Sequence, residues 1–469
     1  MEDATRRRNT ELVLVVVAVL ASLFAEADAE LALNGSLGGG FATTGLGLGA
    51  LALLMHLAVR KWAKYADPLI LPIAVLLSGL GLMMIHRLDS SYAKFWAGTQ
   101  EAPPEAGSQM QWTVIAAVLF VGVIVFLKHH RSLQRYTYVT MAVSLVLQMA
   151  PAFFPGIYGA KRWIMIGPLS FEPDEFTKIG IIVFFASYLM ANRDALALVG
   201  KKVWGISFPR MRDLGPLLVI WAISLLILIF EVDLGTSLII FGIFIVMLYV
   251  ATERTGWVLI GLVLAVVGGG AVGATSSHVG QRVTAWLHPM DVFRHGSNVT
   301  SDQAAQALFA LGHGGFLGTG LGKGQPWLIG FAGRSDWILG AFGEELGTCG
   351  LMAMLLLYFL LAQRSWKSAI TLNDPFGKLL GTGLAVVLVL QVFVVAGGVI
   401  GLIPETGKAL PFLAYGGSAT VANWLVVALM IKVSDAAGKI ELEPAPDPAE
   451  TMTVSTAEIR AHMAENQGS

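Results

Sequence analysis

Residues 314–347 read GGFLGTGLGKGQPWLIGFAGRSDWILGAFGEELG. A glycine-rich stretch passes into an apolar run that opens at Asp336 and carries Glu344 and Glu345. A charge at mid-bilayer is costly or neutralises, so chains that keep carboxylates on an apolar helix usually use them. The stretch predicts a membrane-spanning helix beginning at Asp336, with a polar site at its outer mouth. Glu344 would sit two turns deeper, roughly 12 Å at 1.5 Å per residue.

The rest of the chain supports that reading. Hydrophobic residues make up 55% of it and charged ones 13%, with a mean hydropathy of +0.69. A soluble domain carries about 25% charged residues, so the expectation is an all-α polytopic membrane protein. The net charge of -1 hides a segregation of Lys and Arg into short loops. That pattern speaks of topology and gives no reason to expect a nucleic-acid partner. The single cysteine, Cys349, excludes an intrachain disulfide or a Cys-based zinc site. Arg6, Arg7 and Arg8 precede an apolar run with no convincing cleavage site, so the first span is expected to be retained.

Apolar windows give about twelve spans. The first two cover residues 11–27 and 45–59, and the third covers 68–85. Others fall at 111–127, 138–154, 176–190, 214–230, 234–250 and 257–272. The last three cover 337–361, 379–403 and 416–433. The clusters at 60–64, 128–135, 201–212 and 364–367 all lie inside if both termini are cytoplasmic. Three units follow: residues 1–67 with two spans, a core at 68–433 with a large outer loop at 273–335, and a disordered cytoplasmic tail at 434–469. The loops at 88–110, 155–174, 273–335 and 404–415 then face outward.

Those loops hold the candidate chemistry. Lys161 and Arg162 beside Trp163 suit a phosphate head group, or else anchor the chain at the interface. Asp233, between two apolar runs, either caps the eighth span or forms a buried ion pair. Gly314–Gly324 is no nucleotide loop, because Leu317 replaces the required first glycine and Gly324 follows Lys323. A close-packed turn or re-entrant segment is expected there. The histidines show no HExxH pattern, and the sequon at Asn298 is discounted. Asp336 reads two ways: a general base with a raised pKa, or an ordinary N-terminal Asp on the helix dipole. Residues 404–418, PETGKALPFLAYGGS, are structural punctuation or the lining of a cavity.

Taken together, GAKRWI (159–164), FEPDEFTK (171–178), DLGTSL (233–238), the glycine run, SDWILGAFGEELG (335–347) and TGKALPFLAYGGS (406–418) resemble the shape, elongation, division and sporulation family. The motifs occur in the family's order and span about residues 68–433. The resemblance implies a ten-span core, so the first two spans are extra. It implies a peptidoglycan glycosyltransferase that polymerises lipid II, inverting at the anomeric carbon, closer to the elongation members than to the division members. The family's catalytic aspartate falls on Asp336, its arginine on Arg162, its glutamate on Glu175 and its second aspartate on Asp233. Its cavity-lining loop falls on Thr406, Pro411, Gly416, Gly417 and Ser418.

From these readings Lys161, Arg162, Arg334 and Lys408 are expected to bind pyrophosphate. Lys178, Glu344 and Glu345 join Glu175 and Asp233 as cavity support. A divalent cation, Mg or Mn, is a candidate cofactor with no ligands assigned. The implied partners are a class B penicillin-binding protein, lipid II, and other elongasome or divisome proteins. The implied location is a bacterial plasma membrane, with the site facing outside. Glu231, Val232, Asp174 and Lys408 depart from the family's usual residues, and Lys408 adds a cation to a loop that is usually neutral. A lipid II flippase and a noncatalytic scaffold are the rival readings. Intramembrane charges and broken helices suit a transporter too, although no inverted repeat is evident.

Overall fold

The computed structural model describes residues 2–38, 40–96, 103–156, 161–166, 169–192, 233–275, 277–295 and 302–442, with scattered positions between 202 and 226. The helices are α1 (Glu2–Asn34), α2 (Phe41–Trp62), α3 (Ile70–Phe95), α4 (Ala106–Phe126), α5 (Thr137–Met149), α6 (Asp174–Ala191) and α7 (Leu234–Thr252). They continue with α8 (Gly256–Thr275), α9 (Ser277–Leu287), α10 (Pro289–His295), α11 (Gln303–Gly314), α12 (Ile338–Thr371), α13 (Pro375–Val399) and α14 (Gly417–Leu442).

Each expected span except the seventh lies on a helix. The seventh, at 214–230, falls outside the described residues apart from isolated positions, as does the basic cluster at 201–212. Glu231, Val232, Asn298 and the tail beyond 442 also fall outside them. Among the described residues nine helices are long and apolar enough to cross a membrane. The chain is a multi-pass membrane protein.

Helices α3, α13 and α14 form the buried centre, while α1, α4 and α12 show most of their surface outward. Helix α1 lies along α3 and turns Val13, Val17, Leu20 and Phe24 outward. That apolar outer face is what a bilayer solvates.

Four features differ from the sequence reading. The outer loop at 273–335 is largely helical, through α9, α10 and α11. A small antiparallel hairpin, β1 (Ile164–Ile166) with β2 (Leu169–Phe171), interrupts the all-α pattern. Helix α14 runs on to Leu442, so residues 434–442 are no tail. Ser434 and Asp435 accept the backbone N–H groups of Asp67 and Tyr65, at 2.8 and 2.9 Å, which holds that last stretch of helix. Helix α12 begins at Ile338, leaving Asp336 in the turn before it.

Helix α12 also breaks at Gly347, where φ is 65° and ψ is -175°. The break frees helical backbone groups, and the glycine loop takes them up. Thr319 and Gly320 donate to the carbonyls of Glu344 and Glu345, at 2.9 and 3.0 Å. In return Thr348 and Cys349 donate to the carbonyls of Gly315 and Phe316. The expected close-packed loop is therefore stitched into a gap in the helix.

Candidate active site

The outer ends of several elements converge on one charged cluster. The strand hairpin brings Arg162 and Glu172, and the first turn of α6 brings Asp174, Glu175 and Lys178. Asp233 stands at the start of α7, Arg282 on α9, and Asp336 before α12. The loop between α13 and α14 supplies Glu405 to Lys408.

Asp233 is the cap expected of it. Its carboxylate accepts from the N–H of Thr236 at 3.1 Å and from the Thr236 hydroxyl at 3.0 Å. It also meets Lys408 Nζ at 2.8 Å, so cap and buried ion pair are both realised. Burial alone would push Asp233 up, but Lys408 and then Arg162 hold it below the usual carboxylate range.

Lys408 is 1% exposed, and its Nζ also meets Glu172 at 2.6 Å. Burial disfavours its charge, yet Asp233 and Glu172 more than compensate and hold it protonated. This corrects the expectation that Lys408 faces a pyrophosphate, because its ammonium is committed to carboxylates. Arg334 is corrected on the same ground. It is buried and ion-paired to Asp89 at 2.6 Å, and it donates to the Pro103 carbonyl at 3.0 Å.

Arg162 is engaged differently. Its guanidinium lies over the Trp163 ring, 4.7 Å from the centroid, and Nη1 donates to the Gly407 carbonyl at 2.9 Å. Its Nε is buried with no partner among the described residues. Arg282 comes from the opposite side of the same turn and donates to the Glu405 carbonyl at 3.1 Å. Gly407 has φ 70°, and a Cβ there would stand 3.0 and 3.1 Å from the Arg282 and Arg162 guanidinium nitrogens. Only glycine fits between the two cations. Lys161 remains exposed.

Asp336 lies half-buried beside this pair and accepts from the Ser335 hydroxyl at 2.8 Å. It stands one residue before Trp337, the N-cap of α12. Burial pushes its pKa up, against the pull of Ser335, Arg162 and Arg282. Glu405 is pushed up to about 7, first by burial and then by the charge of Asp336. A carboxylate with a raised pKa beside two fixed cations can take a proton while an anion departs.

The supporting residues divide. Lys178 bridges Glu175 at 2.9 Å and Gln391 at 2.8 Å, and Gln391 in turn donates to the Ala409 carbonyl. Ser418 accepts the Glu172 N–H, and the Pro411 carbonyl accepts from the Tyr358 hydroxyl. Thr406 packs across Gly235, and Gly417 against Trp112. Gly416 donates to Gln109. These hold the loop.

Glu344 and Glu345 belong to a second, separate set of contacts. Glu345 pairs with Arg87 at 2.6 Å, and Glu344 accepts from the N–H of Gln325 at 2.8 Å and meets His313 at 2.8 Å. Arg282, Glu405 and Arg87 were missed from the sequence. The first two stand in loops that were judged outward, which was the available signal.

Residues 66–439 match the model of the FtsW/RodA/SpoVE family, described as cell cycle protein. The chain is 42% identical over 457 residues to the peptidoglycan glycosyltransferase RodA of Mycobacterium leprae, covering 97% of this chain and 96% of that one. It is 41% identical to the peptidoglycan glycosyltransferase RodA of Mycobacterium tuberculosis, covering 92% of this chain and 91% of the relative. A probable peptidoglycan glycosyltransferase FtsW of a Geobacter species is 31% identical over 78% of this chain and 96% of its own. The fold aligns at TM-score 0.60 and 22% identity with a chain from a solved peptidoglycan synthase complex, covering 79% of this chain and 98% of that one.

Proposed function

The chain belongs to the FtsW/RodA/SpoVE family, and from that premise we propose how it polymerises lipid II at the cluster around Asp336. It is a peptidoglycan glycosyltransferase of the RodA type, since its RodA relatives are more similar than its FtsW relatives and align over more of its length. The match to the first of them leaves out only a few per cent of the chain, so it takes in most of residues 1–67.

One observation carries the assignment of the site. Asp336 is held at the mouth of an apolar bundle, with its pKa raised and with the charges of Arg162 and Arg282 beside it. In our reading Asp336 takes the proton from the acceptor sugar's 4-hydroxyl. That oxygen forms its bond to the donor's anomeric carbon as the bond from that carbon to the pyrophosphate oxygen breaks, with inversion. The charge released on the pyrophosphate is met by Arg162 and Arg282, with Lys161 at the rim.

The divalent cation does not fit the carboxylates of this cluster, because the Lys408 ammonium stands among them. We route no step through it, and we propose that any such ion enters as the counter-ion of the pyrophosphate. The site faces the outside of a bacterial plasma membrane, as the Lys and Arg bias of the loops supports. The partner we propose is a class B penicillin-binding protein, within an elongation assembly. The test is the purified chain with that partner and labelled lipid II, read as glycan ladders. Ladders that depend on this chain support the reading. Their absence beside an active partner contradicts it.

A further inference from the structure

Glu172, Asp174 and Asp233 each offer a carboxylate oxygen, and the three oxygens lie within 4.8 Å of one another. That spacing is one a single hard cation can bridge, because divalent ions take oxygen ligands at about 2.0–2.6 Å. Asp174 is fully buried, and neither of its oxygens has a hydrogen-bond partner among the described residues. A buried carboxyl group left in that state either keeps its proton or is met by a cation.

The chain supplies one itself. Lys408 Nζ stands 2.6 Å from Glu172 and 2.8 Å from Asp233, and its charge acts on Asp174 as well. Its path is built in. A Cβ at residue 235 would lie 2.6 Å from Lys408 Cγ, so Gly235 leaves the channel through which the lysine stem passes. A divalent ion bound to the same oxygens would have to share the space of the ammonium, and the two would repel.

We propose that Lys408 is a tethered cation occupying the place of a divalent metal among Glu172, Asp174 and Asp233. Replacing it by a neutral side chain opens a divalent-cation site there. Lys408 is thus a positioning residue. It fixes the carboxylates and, through its own loop, the Thr406–Gly407 turn that meets Arg162. This inference concerns metal binding and stands whether or not Asp336 is the base.

The experiment is Mn2+ binding to the full-length protein in detergent, read by electron paramagnetic resonance without substrate. Wild type and Asp174→Asn are expected to give the same titration. Lys408→Met, which keeps the stem and loses the charge, should gain one bound Mn2+. Adding Asp174→Asn to that background should weaken the new site about tenfold or more. A Mn2+ bound by wild type and lost in Asp174→Asn would overturn the proposal. So would a Lys408→Met protein that elutes and melts as a folded protein yet gains no Mn2+. If Lys408→Met does not fold, Lys408→Gln, which keeps a polar tip without the charge, takes its place: one gained Mn2+ supports the proposal, and a folded protein that gains none overturns it.

Discussion

The molecule buries acids and bases in two outer regions, and it treats them differently. Between α3 and the glycine loop, each acid meets a donor on at least one oxygen: Arg87 with Glu345, Arg334 with Asp89, and the Gln325 N–H with Glu344, with Glu345 Oε2 alone left unpartnered among the described residues of this set. Arg87 also donates to the Gly324 carbonyl at 2.7 Å, and Asp89 accepts the N–H groups of Glu105 and Ala106. Around Asp336, Glu172, Asp233 and Glu175 are paired with lysines, and three other acids are met less fully. Asp174 has no hydrogen-bond partner among the described residues, Glu405 is pushed up to about 7, and Asp336 is steadied by one serine hydroxyl. The first region is a latch that holds the fold. The second keeps charge in reserve for a reacting group.

Substitutions can break that contrast. Asp336→Ala should lower lipid II polymerisation by about 10²–10⁴-fold, the usual contribution of a positioned general base, while the melting temperature stays close to wild type. Arg87→Met should do the reverse. It strands Glu345 and should cost about 3–5 kcal/mol of stability, read as a lower melting temperature in detergent. Gly347→Ala forces a side chain into φ 65° against the Gly318 backbone at 2.3 Å. It should cost about 1–2 kcal/mol or more for the backbone conformation alone.

The last two sharpen the contrast. Glu405 is pushed up to about 7, so it carries its proton on the acidic side of the rate profile, and Glu405→Gln imitates that neutral form. The acidic limb of the rate against pH should therefore stay in place, and a clear shift of it would contradict the pairing. His313→Ala should change stability by about 0–1 kcal/mol at most, because the His313 side chain is 59% exposed.

The sequence made one region far more legible than the other. A carboxylate on or at the mouth of an apolar helix is conspicuous for its cost, and so Asp336 stood out together with Glu344 and Glu345. Asp233 announced itself as a cap through Thr236, three residues on. The latch stayed hidden because its pairs are remote: Arg87 and Glu345 are 258 residues apart, and Arg334 and Asp89 are 245 apart. Local spacing rules reach only a turn or two of helix. The same distance explains Lys408 and Arg334. Read singly, each was an outward cation, and only the folded chain brings Asp233 to one and Asp89 to the other. The all-α pattern missed the hairpin because strands of three residues leave almost no alternation to read.

The most direct test measures initial polymerisation rate and melting temperature together, on matched preparations of wild type, Asp336→Ala and Arg87→Met. The account predicts a crossed result: Asp336→Ala loses the rate and keeps the melting temperature, and Arg87→Met loses the melting temperature. An Asp336→Ala protein that melts as wild type and polymerises lipid II at the wild-type rate would contradict it.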